Sequence, residues 1–321
     1  MSNNIKLLLV GAGYMGKEYA KVLKSLNIDF TIITRTEKTA KVFAEDVGIK
    51  PIVGDLKTIL LTNDIVYTHA INAVPVQDLI GVTKELIEYG IKDILVEKPL
   101  GLFYDSIYDL VKFIAEKKVK IYVGYNRRYY ASTKKAQEII NNDGDLLSID
   151  FEFTEWKNKI DFTKYHADAC KKWLVANSSH VIDLAFFFAG NPKEYSFYST
   201  NNLFSAKDIF VGSGITDNDV FFSYSSNWDA PGRWGVELLT RKHRLYLKPM
   251  EKLYMQNLNS IDISEVALDD KLDLEYKPGV YREVMDFLSE KPTYRLKTIY
   301  EQLNSIIIYD EILNGKKNFK N

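Results

Sequence analysis

The feature that most constrains the fold of this chain is a short glycine-rich stretch near its beginning. The apolar run Ile5–Val10 leads directly into Gly11-Ala12-Gly13-Tyr14-Met15-Gly16, and a helical pattern follows. A G-x-G-x-x-G stretch between a strand and a helix is typical of the first βαβ unit of a dinucleotide-binding fold. Gly11 permits the tight turn, Gly13 lets a pyrophosphate approach the backbone, and Gly16 lets the helix pack closely on the strand. The stretch therefore predicts that a dinucleotide binds at the N-terminus of this helix.

Short apolar segments alternate with helical segments over the first 123 residues. The predicted strands are Ile5–Val10, Phe30–Thr34, Ile65–Ile71, Asp93–Glu97 and Lys120–Gly124, and the predicted helices cover 15–26, 36–46, 76–89 and 106–117. The first strand is almost continuously apolar, as expected when both faces of a parallel sheet are covered. This order predicts an N-terminal Rossmann domain over residues 1–123, with a doubly wound parallel sheet.

The pattern changes after Gly124. A helix at 133–141, an alternating strand at Leu147–Trp156 and a helix at 173–188 come first. Segments rich in strand-forming residues follow at 194–200, 208–211, 220–225, 234–240 and 243–247, and two helices come last, at 281–289 and 296–313. Residues 124–321 are therefore predicted to form a C-terminal α/β domain with an open, mainly antiparallel sheet.

The composition excludes several classes of protein. The chain has 321 residues, which is more than one hydrophobic core usually supports, and its net charge of −1 would not draw it to nucleic acid or to an anionic membrane. The single cysteine, Cys170, excludes an intrachain disulfide and a multi-cysteine metal site. Apolar stretches stay far below the roughly 20 residues of a membrane span, and no targeting segment is recognisable. We expect a cytoplasmic protein with no metal, nucleic-acid or membrane partner.

The end of the second predicted strand bears on which dinucleotide binds. An acidic residue about 20 positions after the glycine stretch would hydrogen-bond the ribose of NAD. Asp29 is near that spacing, but it precedes the strand and so lies at the wrong edge of the sheet. The strand ends in Thr34-Arg35-Thr36, where a guanidinium and two hydroxyls suit a 2′-phosphate. The pattern favours NADP(H) over NAD(H), although the nearby Glu37 weakens that preference.

A lysine follows the fourth predicted strand, in Val96-Glu97-Lys98-Pro99-Leu100-Gly101. It is expected at the carboxyl edge of the sheet, the same edge as the glycine stretch, where ligands bind in open α/β sheets. Pro99 ends the strand and stiffens the turn. On its own, this position fits a solvated surface lysine as well as a catalytic ammonium.

Four motifs, taken together and in order, resemble the glucose–fructose oxidoreductase / inositol dehydrogenase / MocA (Gfo/Idh/MocA) family of oxidoreductases. They are GAGYMG at 11–16, VEKPLG at 96–101, GYNRRYY at 124–130 and SSHVIDL at 178–184. The resemblance implies hydride transfer between a nicotinamide cofactor and a carbinol or keto carbon of a sugar or nucleotide-sugar. It also implies a homodimer or homotetramer assembled through the C-terminal sheet.

The resemblance assigns Lys98 and His180 to catalysis. Hydride transfer at a carbinol carbon requires proton exchange at the oxygen, for which an imidazole titrates near working pH and an ammonium stabilises negative charge. The residues expected to bind the cofactor are Gly11, Gly13, Tyr14, Met15, Gly16, Thr34, Arg35, Thr36, Asn72, Ala73, Pro75, Glu97, Lys98 and Asn126. The residues expected near the substrate are Arg127, Tyr165, Asn177 and Asp183.

One position departs from the family pattern. The family commonly carries an acidic residue four positions before the histidine, where this chain has Ala176. The candidates to compensate for it are Asn177, Tyr165, His166 and Asp168. The alanine also keeps open a dinucleotide-binding sensor without turnover. A third alternative is a dehydrogenase for another substrate class, such as a biliverdin-like or imine compound.

The second predicted domain also carries aromatic residues interspersed with cations. They are Trp156, Lys157, Trp173, Trp228, Arg233 and Trp234. Aromatic faces with nearby cations suit sugar rings and diphosphates, whereas aromatic residues in an antiparallel sheet are also typical of a core or an interface. The sequence leaves both interpretations open.

Overall fold

The structure, a computed structural model, describes residues 5–62, 65–200 and 208–318. Within these ranges the strands are β1 (Leu7–Val10), β2 (Phe30–Thr34), β3 (Ile52–Val53), β4 (His69–Asn72), β5 (Asp93–Glu97), β6 (Lys120–Gly124), β7 (Leu146–Glu152), β8 (Pro192–Ser199), β9 (Ile209–Thr216), β10 (Phe221–Asn227), β11 (Gly235–Thr240), β12 (His243–Leu247), β13 (Tyr254–Asn257), β14 (Ile263–Glu265), β15 (Lys297–Thr298) and β16 (Lys317–Asn318). The α-helices are α1 (Tyr14–Ser25), α2 (Glu37–Val47), α3 (Leu56–Thr62), α4 (Leu79–Tyr89), α5 (Tyr104–Ile114), α6 (Ala131–Asp143), α7 (Ala167–Lys171), α8 (Ser179–Ala189), α9 (Lys271–Glu275), α10 (Val280–Phe287) and α11 (Ile299–Asn314).

The chain forms two compact units. The first contains the described residues up to Asn126 together with Leu272–Asn304, and the second contains the described residues of Arg127–Lys271 and Ser305–Asn321. The predicted division at residue 123 lies close to the first change of unit. The prediction placed 272–304 in the C-terminal domain, whereas the structure places this segment in the first unit.

The first unit is built on a sheet with the strand order β15-β6-β5-β4-β1-β2-β3. All neighbouring strands are parallel except β15, which pairs antiparallel with β6. Every residue of β1 is buried, as expected for a central strand covered on both faces. The predicted strand at 65–71 begins later, because β4 joins the sheet only where His69 lies opposite Leu7. This sheet confirms the predicted Rossmann-type parallel architecture.

Residues 272–304 return to the first unit, where a strand and a helix of this segment pack against earlier elements. Strand β15 extends the sheet, with Lys297 opposite Val123, and helix α10 packs against α1. A strand of two residues leaves no periodic pattern in the sequence. This return was therefore not predicted.

The second unit is built on a sheet with the strand order β14-β13-β12-β11-β7-β10-β9-β8-β16. Its neighbouring strands are antiparallel except for β7 and β10, which are parallel. Burial alternates along β7 and β10, which indicates one covered face. The mainly antiparallel second sheet is confirmed, and assembly through it stays a prediction. No helix within the described ranges is both long and apolar enough to cross a membrane.

Candidate active site

The glycine stretch forms the turn between β1 and α1. Gly11 has a φ of +104°, and a Cβ there would lie 2.6 Å from the carbonyl oxygen of Ala73. A Cβ on Gly16 would lie 2.0 Å from the carbonyl oxygen of Gly11. Both positions therefore require glycine for close packing of the backbone.

Gly13 is different, because a Cβ at this position would meet no atom within 4 Å. Gly13 is the N-cap of α1 and makes no side-chain capping bond, and the first turn of the helix contains no acidic residue. The helix therefore presents N–H groups and the positive end of its dipole to open space. These residues fit a pyrophosphate, so the turn can hold the dinucleotide that the sequence predicts.

A cation that the sequence did not reveal lies beside this turn. The exposed ring of Tyr14, in the first turn of α1 with Met15, has its centre 5.0 Å from the ammonium of Lys277. Lys277 belongs to the returning segment of the first unit. Its local sequence, Tyr276-Lys277-Pro278-Gly279, carries no recognisable binding pattern, so only the fold brings it to the turn.

The predicted cofactor residues at the end of β2 interact with neighbouring protein groups. Thr34 is buried at the end of the strand, and the Thr36 side chain caps α2 by accepting a bond from the Thr39 N–H at 3.3 Å. The Arg35 guanidinium lies 2.6 Å from a carboxylate oxygen of Asp78. A negative charge therefore stands beside the group expected to bind a 2′-phosphate, and the preference for NADP(H) stays a prediction.

The loop after β4 lies against the glycine turn. Asn72 is fully buried, and its amide donates to the carbonyl of Leu79 and to the hydroxyl of Thr83, both at 3.0 Å. These bonds hold the loop of Ala73 to Pro75 against the start of α4. Asn72 therefore shapes the predicted cofactor loop from inside the protein.

The turn that carries Lys98 is held on both sides. The Leu100 N–H donates to the Glu97 carbonyl at 3.1 Å, and the Gln302 amide donates to the Pro99 carbonyl at 2.8 Å. Leu100 has a φ of +68°, a left-handed conformation that costs energy in a branched residue and occurs often at functional sites. Half-buried Lys98 thus follows the carboxyl end of β5 on a fixed backbone.

Glu97 points into a buried cluster. The Tyr19 hydroxyl lies 2.7 Å from one Glu97 carboxyl oxygen and 3.3 Å from a carboxyl oxygen of Glu283. Burial raises the pKa of Glu97, while the Tyr19 hydrogen bond and the charges of Lys98 and Lys277 oppose that rise. The contacts indicate that Glu97 anchors the lysine turn, and its predicted cofactor contact stays a prediction.

Asn126 also makes an internal bond in the first unit. Its amide donates to the carbonyl of Pro278 at 2.8 Å, and the residue is buried. The bond connects the end of β6 to the segment that precedes α10.

In the second unit, His180 lies in the first turn of α8. The helix follows a turn of π-helix over Leu174–Ser178, a rare conformation that is frequent at functional sites. The imidazole is buried, and its centre lies 6.1 Å from the ring of Trp234.

A buried carboxylate meets the residues that follow Ala176. One oxygen of Glu155 accepts bonds from the Ser178 hydroxyl at 2.7 Å and the Asn177 amide at 2.8 Å, and the other lies 3.3 Å from Arg233. Burial raises the pKa of Glu155, against the effects of the Ser178 bond and the Arg233 charge. The sequence did contain a signal, since Phe151, Phe153 and Glu155 alternate and all three are buried.

The other candidates to compensate for Ala176 form a separate local turn. The Tyr165 ring is half-exposed and packs against Trp173 with centres 4.9 Å apart. His166 caps α7 by accepting a bond from the Asp168 N–H at 3.3 Å. Of the four candidates, Asn177 is the one that bonds to the buried carboxylate.

The Asp183 carboxylate is buried and forms an ion pair with Arg128. Its two oxygens each lie 2.8 Å from a guanidinium nitrogen of Arg128, and the Asp183 side chain is 2% exposed. The guanidinium also lies 4.9 Å from the ring of Phe187. These contacts indicate that Asp183 anchors α8, and its predicted substrate contact stays a prediction.

The tryptophans of the second unit fall into two groups. Trp173 and Trp228 are core residues. Trp156 and Trp234 both lie against Arg233, with ring centres 5.1 and 4.8 Å from its guanidinium carbon. Arg127 lies 4.8 Å from the same Trp234 ring.

Residues 5–125 match the family model described as an oxidoreductase family with an NAD-binding Rossmann fold (GFO_IDH_MocA). Residues 5–125 are thus similar to the Rossmann domain of the Gfo/Idh/MocA oxidoreductase family. The match confirms the resemblance inferred from the four motifs.

Similar proteins extend the comparison beyond residues 5–125. An uncharacterized oxidoreductase of Streptococcus pneumoniae serotype 4 is 23% identical over 247 residues, which cover 72% of this chain and 64% of that relative. The match thus spans less than two thirds of the relative's length. A levoglucosan dehydrogenase in complex with NADH has a TM-score of 0.78 at 16% identity, covering 99% of this chain and 100% of the other. A putative NADPH-dependent oxidoreductase from Desulfitobacterium hafniense has a TM-score of 0.77 at 17% identity, with 97% and 95% covered.

Proposed function

We propose that this protein is an NAD(P)-dependent oxidoreductase acting on a carbinol or keto carbon of a sugar or nucleotide-sugar. The observation that carries the proposal is the open turn at Gly13, at the same edge of the first sheet as the end of β5, where the backbone of Lys98 is fixed. The solved structures named above support a nicotinamide cofactor and, through the levoglucosan dehydrogenase, a sugar-like substrate.

The chain's own side chains account for the proton chemistry of such a reaction. A bound nicotinamide supplies the hydride acceptor or donor. In the oxidation direction, an imidazole nitrogen of His180 takes the proton of the substrate hydroxyl as the hydride leaves carbon. The Lys98 ammonium donates a hydrogen bond to the substrate oxygen and stabilises the negative charge that develops there. In the reducing direction the same groups return the proton.

Glu155 is proposed to position His180 in place of the acidic residue missing at 176. It holds Asn177 and Ser178, directly before the helix that carries His180, and it adds a negative charge near the start of α8. We expect Glu155→Gln to lower the pKa of His180, because removal of a nearby negative charge destabilises the imidazolium. The acidic limb of the kcat/KM profile should therefore move to lower pH.

An NMR titration of the histidine ring protons measures this shift without turnover, with His180→Gln used to assign the signal. Glu152→Gln is the matched control, because Glu152 lies on the same segment but pairs with Lys248 at 2.6 Å. An unchanged His180 titration in Glu155→Gln, with the fold intact, would reduce Glu155 to a structural residue.

The function itself is tested by single-turnover absorbance at the band of reduced nicotinamide. The panel contains sugars, keto-sugars, and a biliverdin-like and an imine compound, each with NAD(H) and NADP(H). Hydride transfer to or from at least one sugar is the expected result. The control is Gly13→Val, which should fold because a Cβ there meets open space and the backbone is extended, but should lose cofactor binding about 100-fold.

The alternative of a dinucleotide-binding sensor is favoured by Ala176, and the same experiment separates it. Tight cofactor binding without hydride transfer to any member of the panel would support the sensor. Transfer to the biliverdin-like or imine compound alone would support the other substrate class.

A further inference from the structure

Arg127 is a cation without a hydrogen-bond or ion-pair partner for its guanidinium among the described residues. Its Nε–H group is buried and donates to no acceptor among the described residues. Burial lowers the pKa of Arg127; the nearby Tyr130, Glu251 and Glu155 oppose this change, and the charge of Arg233 adds to it. Arg127 is half-buried, and a partly buried positive charge is costly unless an anion or several acceptors compensate it. The fold therefore retains an unpaired guanidinium at this position.

A second guanidinium stands at the same aromatic surface. Arg127 and Arg233 each have their guanidinium carbon 4.8 Å from the ring centre of Trp234, and Arg233 also lies 5.1 Å from Trp156. We call Arg127, Trp156, Arg233 and Trp234 the arginine–tryptophan cluster. Two like charges around one ring repel each other, so an anion between them would be bound favourably.

Among the described residues, the carboxylate that bonds to the cluster is that of Glu155, and it is already engaged. Glu155 accepts two short bonds from Asn177 and Ser178, and its remaining oxygen reaches Arg233 only at 3.3 Å. The Arg233 side chain is 47% exposed and keeps further N–H groups for other acceptors. The indole N–H of Trp234 is buried and also lacks an acceptor among the described residues. The two guanidinium groups together therefore keep N–H donors that Glu155 does not engage.

We propose that the arginine–tryptophan cluster binds an anionic group of the substrate, a carboxylate or a phosphate. The planar guanidinium presents N–H pairs that match both anions, and the exposed Trp156 indole suits the apolar face of a sugar ring. The substrate class is then an acidic sugar derivative: a sugar acid, a sugar phosphate or a nucleotide-sugar. This inference rests on the proposed function, since it specifies the substrate of that reaction.

Binding to the intact chain tests the inference without any turnover. The probes are glucose, glucuronate, glucose 6-phosphate and UDP-glucose, followed by calorimetry and by tryptophan fluorescence. We expect at least one anionic probe to bind about 10- to 100-fold more tightly than glucose at low salt, and less so as salt is added. A comparison of glucuronate with glucose 6-phosphate and UDP-glucose shows whether the cluster prefers a carboxylate or a phosphate.

The variant Arg127→Met should abolish this preference, so that the ratio of the affinities for the anionic probe and for glucose falls to about one. Arg244→Met is the matched control, because the Arg244 guanidinium is already paired with Glu237 at 2.5 Å. It should retain the full preference for the anionic probe. If Arg127→Met does not fold, Arg233→Met replaces it, since Arg233 is half-exposed.

Three results would overturn the inference. They are equal affinity for glucose and for all anionic probes, no detectable binding of any anionic probe at about 10 mM, and a preference that survives in the folded arginine variant. The outcome is separable from the proposed function. Anion-selective binding with no hydride transfer in the panel would support the anion site and contradict the oxidoreductase function. Hydride transfer without anion selectivity would support the oxidoreductase function and contradict the anion site.

Discussion

Replacement of Lys98 by methionine is expected to lower kcat for hydride transfer by about 10²- to 10³-fold. Methionine keeps the length of the side chain and removes the ammonium that would stabilise charge on the substrate oxygen. The pyrophosphate contacts at the glycine turn are untouched, so the Kd for NAD⁺ and NADP⁺ should stay within about threefold of wild type. Single-turnover absorbance and a cofactor titration by fluorescence measure the two quantities separately.

Lys120→Met is the control for this variant. Lys120 begins β6 in the same unit, is exposed, and lies 3.6 Å from Asp93. Its replacement should leave both quantities unchanged. Normal turnover by Lys98→Met with the substrate identified in the panel would remove Lys98 from the proposed catalytic groups.

Asp183→Ala is expected to lower the free energy of unfolding of the second unit by about 3 to 5 kcal/mol. The variant leaves the Arg128 guanidinium, 7% exposed, without the carboxylate that now accepts two of its bonds. All four tryptophans of the chain, Trp156, Trp173, Trp228 and Trp234, lie in this unit. Urea unfolding followed by tryptophan fluorescence therefore measures the stability of this unit selectively.

Two further variants make that result specific. The double variant Arg128→Met with Asp183→Leu should recover most of the loss, because no unpaired charge stays buried. Glu237→Ala breaks a partly exposed pair with Arg244 in the same sheet and should cost at most about 1 kcal/mol. A loss as small as this in Asp183→Ala would show that the buried pair is not what anchors α8.

The parts of the molecule that sequence predicted well are those specified by local patterns. Gly11, Gly13 and Gly16 lie within one short stretch of the chain. The steric demands of the turn explain Gly11 and Gly16, and Gly13 keeps the space at the start of α1 open. The pattern of polar and apolar residues along the strands predicted the two kinds of sheet for a similar reason. A continuous apolar run indicates a strand buried on both faces, and alternation indicates a strand buried on one face.

Contacts between side chains from distant segments could not be predicted from local sequence patterns. Asp78 reaches Arg35, and Lys277 reaches Tyr14, only because the strands between them are ordered by the sheet. Ala176 was visible as a missing carboxylate, but no spacing rule identified Glu155 as the acid that bonds to its neighbours. A glutamate on the buried face of an alternating strand is the signal to look for in such cases.

The return of residues 272–304 also governs the order in which the protein can mature during synthesis. Gln302 meets Pro99 across 203 positions, and Glu283 meets Tyr19 across 264. While the ribosome works through the second unit, β6 lacks its neighbour β15, and an unpaired strand edge is a template for association with other chains. The first unit is thus completed only after residues 127–271 have been made, so the nascent chain needs protection at one defined edge until β15 is available.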